Sequence, residues 1–259
     1  MAFSADKFFD IGQRVALVTG AGSGLGRSFA MALAAAGARV AIAGRRAARL
    51  DETAELIRAR GGTVEPVVLD VTDATQVAAA VAQVESTLGV VDVLVNNAGI
   101  SRPGMLIDTS TADWDAVIAT NLTGVHRVAS EVVRRLRAGK RPGSIINIAS
   151  ILGSRVSAGL GPYIAAKAGV IELTKAQALE WARFGIRANA IAPGYFPTEM
   201  NTGFFETSAG REMIARIPMR RVGDPADLTG VLLLLASEAS AYMTGAVIAV
   251  DGGHLCSSL

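Results

Sequence analysis

Residues 15–37 read VALVTGAGSGLGRSFAMALAAAG. The five residues Val15–Thr19 make a short β-prone apolar run, and the Ala-rich amphipathic stretch from 24 to 36 predicts a helix. Gly37 stands where a helix that has just ended favours glycine. Between strand and helix lies a glycine-rich turn. Such a turn lets the backbone bend tightly and approach a pyrophosphate, with the helix N-terminus facing the negative charge. The spacing is Gly-x-x-x-Gly-x-Gly at 20, 24 and 26, so a strict G-x-G-x-x-G is absent. A glycine-rich turn alone can be merely structural. Gly20, Ser23, Gly24, Leu25 and Gly26 are therefore candidates whose weight depends on their surroundings.

The same rhythm continues outward. Strands are predicted at Val15–Thr19, Val40–Ala43, Val64–Leu69, Val91–Val95, Ser144–Ala149, Arg187–Ala192 and Ala246–Val250, with helices near 24–36, 46–60, 73–88, 111–138, 162–184 and 225–237. Short buried strands alternating with helices imply an α/β fold, a sheet of seven parallel strands covered on both faces. Asp224-Pro225 is an N-cap followed by proline at the first helical position, and Ser110 with Asp113 resembles a capping box. Residues 193–218 break the rhythm with turn formers and aromatics, the pattern of a lid over a site. No linker or internal repeat divides the chain, so residues 1–259 are expected to form one domain.

Composition excludes several classes. The 259 residues are 51% hydrophobic, with 19% charged and a formal net charge of +2. That balance gives no footprint for nucleic acid. The densest basic run, Arg134, Arg135, Arg137, Lys140 and Arg141, suits a solvated helix end or an anionic partner. Cys256 is the only cysteine, which rules out an internal disulfide and fits a reducing compartment. With only His126 and His254 beside it, no metal site is expected. The opening MAFSADKFFDIGQR has acids at Asp6 and Asp10 and no long apolar core, and the apolar run at 231–236 is too short to span a membrane. A cytoplasmic protein is the expectation. Neither a phosphate-loop lysine motif nor G-x-S-x-G occurs, which removes nucleoside triphosphatases and serine hydrolases.

Four further features carry chemistry. The second strand ends at Ala43-Gly44-Arg45-Arg46, where an acid would bind the ribose hydroxyls of NAD. An arginine there can instead take a 2′-phosphate, so Arg45, with Arg46 behind it, argues for NADP(H) and leaves NAD(H) possible. Both could also simply open the next helix in solvent. Asp70, after the third strand, is a candidate for an adenine amino group. Tyr163 and Lys167 lie four apart, on one helix face. A phenol must lose about 2–3 pKa units to exchange protons near neutrality. An ammonium some 4 Å away supplies roughly that much at an effective dielectric of about 20.

Together these pieces resemble the short-chain dehydrogenase/reductase family, in its form of about 250 residues, over essentially the whole chain. The loop at 19–26 is similar to the family's cofactor fingerprint, and Asp70-Val71 to its adenine-side motif. Asn96-Asn97-Ala98-Gly99 resembles the motif that closes the fourth strand and borders the cofactor. Asn121, Ser150, Tyr163 and Lys167 fall where the family carries its catalytic tetrad, and Pro193-Gly194 with Thr198 where it contacts the nicotinamide amide. The resemblance implies a Rossmann-type sheet of order 3-2-1-4-5-6-7 and hydride transfer between a nicotinamide and a carbonyl or alcohol carbon. Tyr163 would be the acid/base and Lys167 would lower its pKa and hold the ribose. Ser150 would bind the substrate oxygen, and Asn121 would anchor a relay water.

The expected activity is that of an NADP-preferring oxidoreductase interconverting a secondary alcohol and a ketone. A 3-oxoacyl thioester reductase and a sugar-acid dehydrogenase remain alternatives, as does a dinucleotide-binding regulator without turnover. Around the substrate, Ser150, Leu152, Tyr163 and Tyr195 are the candidates, with an apolar lid of Phe196, Met200, Phe204, Phe205 and Met213. A homotetramer is implied by the family. Small residues at Ala165, Ala166, Ala168 and Gly169, and the segment 251–255, are the candidate contacts.

Overall fold

The computed structural model describes residues 5–199 and 202–257. Met200, expected in the lid lining, lies outside the described residues. Seven strands form one parallel sheet: β1 (Val15–Thr19), β2 (Arg39–Gly44), β3 (Val64–Val68), β4 (Val93–Asn96), β5 (Gly143–Ile148), β6 (Ile186–Pro193) and β7 (Val247–Val250). The order is β3-β2-β1-β4-β5-β6-β7, as the resemblance implies. The order turns back between β1 and β4, which pair from Ala16 with Val93 to Val18 with Val95. That reversal opens a crevice beyond the carboxyl ends of the strands, where ligands bind in open α/β sheets.

Helices cover both faces: α1 (Ala5–Phe9), α2 (Gly24–Ala35), α3 (Ala47–Arg58), α4 (Ala74–Thr87), α5 (Thr111–Ile118), α6 (Gly124–Ala138), α7 (Gly161–Trp181), α8 (Thr202–Phe205), α9 (Ser208–Arg216) and α10 (Thr229–Ala236). One core joins α2, α3 and α10 to the sheet through Phe29, Leu33, Leu50, Leu232 and Leu235. A second joins α4 and α6 through Val77, Val81, Val128 and Leu136, and a smaller third packs α7 on the sheet through Val170, Ile171 and Ala190. The central strands β1, β4 and β5 are buried throughout, so their runs are mainly apolar, as sheets covered on both faces require, with Thr19, Asn96, Ser144 and Asn147 as the polar exceptions. No helix among the described residues is long and apolar enough to cross a membrane.

Three departures from the sequence reading have local causes. The single helix expected over 111–138 is two helices joined by a π-helical turn, Ala119–Thr123. There the Asn121 carboxamide clasps the backbone of Ile100 from both ends, accepting from its N–H and donating to its carbonyl at 2.8 Å each. The segment 193–218 is not irregular throughout, because it carries α8 and α9. The Thr207 hydroxyl caps α9 by accepting from the Gly210 N–H at 3.0 Å. Of the small residues on α7, Ala166 is buried within the chain and Gly169 faces Leu122, which a Cβ there would meet at 2.9 Å. These two serve packing inside the chain, while Ala165 is exposed.

A buried polar ladder ties α7 to the sheet. Asn96 Nδ2 donates to Asn147 Oδ1 at 3.0 Å, and Asn147 Nδ2 donates to Thr174 Oγ1 at 2.9 Å and Gln177 Oε1 at 2.8 Å. Asn147 and Thr174 are wholly shielded from solvent. Such groups are tolerated there because they satisfy one another.

Candidate active site

A cavity of about 1070 Å³ runs along the carboxyl edge of the sheet, from the glycine loop to α7. At its first end, Gly20 and Gly24 have positive φ, +67° and +52°. A Cβ on Gly26 would lie 2.3 Å from the Gly20 carbonyl oxygen and 2.5 Å from Asn97 Nδ2, so loop and helix touch as only glycine allows. The Thr19 hydroxyl accepts from the backbone N–H groups of Asn97 and Ala98, both at 3.0 Å. Asn97 Nδ2 in turn donates to the carbonyls of Thr19 and Gly20. The side chain of Asn97, expected to contact the cofactor, thus holds the loop itself.

Gly20, Ser23, Gly24, Leu25, Gly26, Arg45, Arg46, Asp70, Val71, Asn97, Ala98, Gly99, Pro193, Gly194 and Thr198 all line this cavity. Arg45 and Arg46 are exposed at its rim. Asp70 Oδ1 accepts from the N–H and hydroxyl of Thr72 at 2.9 and 2.7 Å, which fixes the carboxylate at the cavity wall. Gly194 hydrogen-bonds Val250 and lies so close to Asp251 that a Cβ would meet its Cα at 2.7 Å. A positive wall of backbone N–H groups at the start of α2, next to exposed arginines, fits the pyrophosphate and 2′-phosphate of a dinucleotide.

At the other end stand Ser150, Tyr163 and Lys167. Ser150 follows β5, its hydroxyl accepting from the Leu152 N–H at 3.1 Å. Pro162 opens α7 and places Tyr163 in the first turn, with Lys167 one turn on. Lys167 is buried, donates to the Ile148 carbonyl at 2.6 Å and sits 5.6 Å from the centroid of the Tyr163 ring. Burial pushes its pKa down to about 8. Burial likewise pushes the Tyr163 phenol above its ordinary value, while its hydrogen bond with Ser150 pulls it down. Burial is the largest influence on Tyr163, and the Lys167 ammonium is directed at the Ile148 carbonyl. Asn121, fully buried, does not line the cavity; it lies behind Gly99 and Ile100.

The substrate candidates Leu152 and Tyr195 are here too, with Ile100, Phe196, Phe204 and Phe205. Met213 is not among the lining residues. Burial raises the Tyr195 phenol, against the pull of Arg155. The sequence reading missed Arg27 and Thr53, which shape the loop without lining the crevice. Thr53 had a signal: it is the lone hydroxyl on the buried stripe Leu50, Thr53, Ala54, Ile57 of α3.

Comparison with known proteins agrees with this arrangement. The family model described as enoyl-(acyl carrier protein) reductase matches residues 20–254. The chain is 42% identical over 240 residues to the 3-oxoacyl-[acyl-carrier-protein] reductase of Thermotoga maritima, covering 93% of this chain and 97% of that one. It is 39% identical over 246 residues to the gluconate 5-dehydrogenase of Gluconobacter oxydans, covering 95% and 96%. A solved gluconate 5-dehydrogenase from Burkholderia cenocepacia J2315, in complex with NADP and tartrate, shares the fold at a TM-score of 0.94 and 38% identity, covering 98% of this chain and 100% of that one. From the ordered motifs, the sheet order and these relatives, the chain belongs to the short-chain dehydrogenase/reductase family, oxidoreductases acting on CH–OH and C=O groups.

Proposed function

We propose that this oxidoreductase prefers NADP(H) and interconverts a ketone and a secondary alcohol of moderately apolar character. The observation that carries the reading is the meeting of Ser150, Tyr163 and Lys167 at one end of a cavity whose other end is the glycine loop. The loop, Asp70, Lys167, Gly194 and Thr198 would hold the dinucleotide, with Arg45 toward its 2′-phosphate. When bound, the nicotinamide supplies or accepts the hydride.

The chain's own residues handle the oxygen and its proton. Ser150 donates a hydrogen bond to the substrate oxygen, where negative charge grows during reduction. Tyr163, held protonated by burial, delivers the proton to that oxygen; in the oxidative direction it removes it. Lys167 keeps a positive charge beneath the pair until about pH 8. The Asn121 carboxamide positions Ile100 through both of its ends, so a relay water would be taken by its backbone rather than by its side chain.

Ile100, Leu152, Tyr195, Phe196, Phe204 and Phe205 favour an apolar substituent, and among the described residues no arginine lines that end to take a carboxylate. This supports a ketone over a sugar acid; an acyl thioester stays in view through the 3-oxoacyl relative. We further propose that the chain works as one domain with a lid at 193–218, as a cytoplasmic homotetramer. Exposed Leu179 and Tyr242 support burial in an assembly, and a monomer by sedimentation at micromolar concentration would refute it. The decisive assay is a panel of ketones, acyl thioesters and sugar acids followed by NADPH and NADH absorbance. Turnover of apolar ketones with NADPH is expected. Dinucleotide binding without turnover of any of them would instead indicate a regulatory protein.

A further inference from the structure

Five successive carbonyls of the glycine loop are each bonded to the protein. Asn97 Nδ2 donates to Thr19 O at 3.0 Å and Gly20 O at 3.3 Å. The Thr53 hydroxyl reaches Ala21 O at 3.1 Å, sharing its proton with Arg49 O at 3.1 Å. Arg27 Nη2 donates to Gly22 O at 2.6 Å, and the Arg27 N–H to Ser23 O at 3.2 Å. In a planar trans peptide the carbonyl of one residue and the N–H of the next point in opposite directions. Anchoring Ala21 O and Gly22 O toward α2 and α3 therefore turns the N–H groups of Gly22 and Ser23 the other way. Those two N–H groups find no acceptor among the described residues.

The anchor is itself fixed. Arg27 Nε donates to Thr53 Oγ1 at 3.0 Å, and the same Nη2 that holds Gly22 O also donates to Glu52 Oε2 at 3.0 Å. Glu52 also holds Arg49 at 2.9 Å. Thr53 has no exposed surface, whereas Arg27 is partly buried. A hydroxyl and a guanidinium thus stitch α2, α3 and the loop into one hydrogen-bonded unit. We propose that Arg27 and Thr53, neither of which lines the cavity, are positioning residues that set pyrophosphate affinity by locking the two peptide planes on either side of Gly22. The inference rests on the reading of this loop as the dinucleotide's phosphate site.

A distinctive signature follows. The pyrophosphate is common to both dinucleotides, so loosening the loop weakens NADP(H) and NAD(H) by the same factor, unlike any change at Arg45. The test measures dissociation constants by the fluorescence of bound NADPH and NADH in wild type, Thr53→Val, Thr53→Ser and Arg27→Met, with thermal midpoints and kcat at saturating cofactor alongside. Thr53→Val and Arg27→Met are expected to weaken both dinucleotides about 5- to 15-fold, the value of one to two hydrogen bonds. Their kcat should stay within about twofold, and Thr53→Ser should restore wild-type affinity.

Unchanged affinity with a lowered midpoint would show that the pair only fastens two helices, and would overturn the proposal. So would a loss confined to NADPH, or a Thr53→Ser variant as weak as Thr53→Val. Should Arg27→Met fail to fold, the Thr53 pair alone decides. A wild-type protein that binds neither dinucleotide would overturn the underlying reading, a result distinguishable from any difference between variants.

Discussion

At one end of the cavity the glycine loop is pinned carbonyl by carbonyl between β4, α2 and α3, and a single added Cβ at Gly26 has nowhere to go. At the other end Phe204 is 41% exposed; outside the lining itself, Met105 and Leu106, which follow the lining residue Gly104, are 61% exposed, and Gly203, beside Phe204, has open space where a side chain would stand. One end is built to hold a fixed shape before any ligand arrives; the other is built from side chains with room to move. The contrast suits a division of labour in which a constant cofactor meets a rigid cradle and a variable substrate meets an adaptable wall.

The contrast can be broken in order of size. Tyr163→Phe removes only the ionisable oxygen at the junction of the two ends, and turnover should fall by about 10²- to 10⁴-fold, with NADPH affinity by fluorescence titration nearly unchanged. Comparable turnover would remove the acid/base assignment. Gly26→Ala forces a contact that backbone cannot relieve. It should cost about 1–3 kcal/mol of stability, and weaken both dinucleotides by roughly tenfold or more, read by thermal melt and titration.

Arg45→Ala tests the rim rather than the cradle. A charge-assisted bond is worth about 1.5–3 kcal/mol, so the NADP(H) preference in kcat/KM should shrink by about tenfold or more, through KM for the phosphorylated cofactor. A wild type that prefers NAD(H) would show the arginine turned to solvent.

A pH profile gives a smaller effect. Lys167 loses its charge as pH rises through about 8, so ketone reduction should decline severalfold between about pH 7 and 9 while the upward-shifted Tyr163 keeps its proton. The stability sign is opposite. The unfolded chain holds the Lys167 proton up to its ordinary pKa of 10.5 and the folded chain only to about 8. Folding stability therefore gains with pH across that window, and any stability advantage of Lys167→Met at neutral pH should shrink as pH approaches 10.5. Smallest of all is Gly203→Ala on α8, where the new methyl meets nothing within 4 Å. Helix propensity there predicts a gain of up to about 1 kcal/mol, the reverse of the same substitution at Gly26.

What the sequence disclosed follows this division. Strands such as Val15–Thr19 were legible because burial on both faces writes continuous apolar runs, and the cradle because backbone geometry demands glycine at fixed places. The π turn at Ala119–Thr123 was hidden, since its local pattern is helical and the break comes from Ile100, distant in sequence from Asn121. Helix α9 carried a legible cap in Thr207 that aromatics and turn formers obscured. The raised phenol of Tyr163 was out of reach because spacing reports neighbours along a helix and not the desolvation around them. Thr53 and Thr174 look ordinary in a list of residues. Their meaning lies in being hydroxyls on apolar helix faces.

The polar ladder through Asn147 grips α7 at Thr174 and Gln177. Tyr163 stands eleven residues before Thr174, about 16 Å along the axis. The helix is in this sense a beam clamped by the ladder, with a second hold where Lys167 donates to the Ile148 carbonyl, and it carries the phenol beyond both, near its tip. A tilt of only about 5° at the clamp would displace that tip by roughly 1.4 Å, a misplacement of the scale that costs an enzyme about a hundredfold in rate. Asn147 thus bears on aim rather than acidity: repacking that core position with an apolar residue is expected to loosen the helix's attachment and shift the phenol, while leaving the catalytic residues themselves unsubstituted.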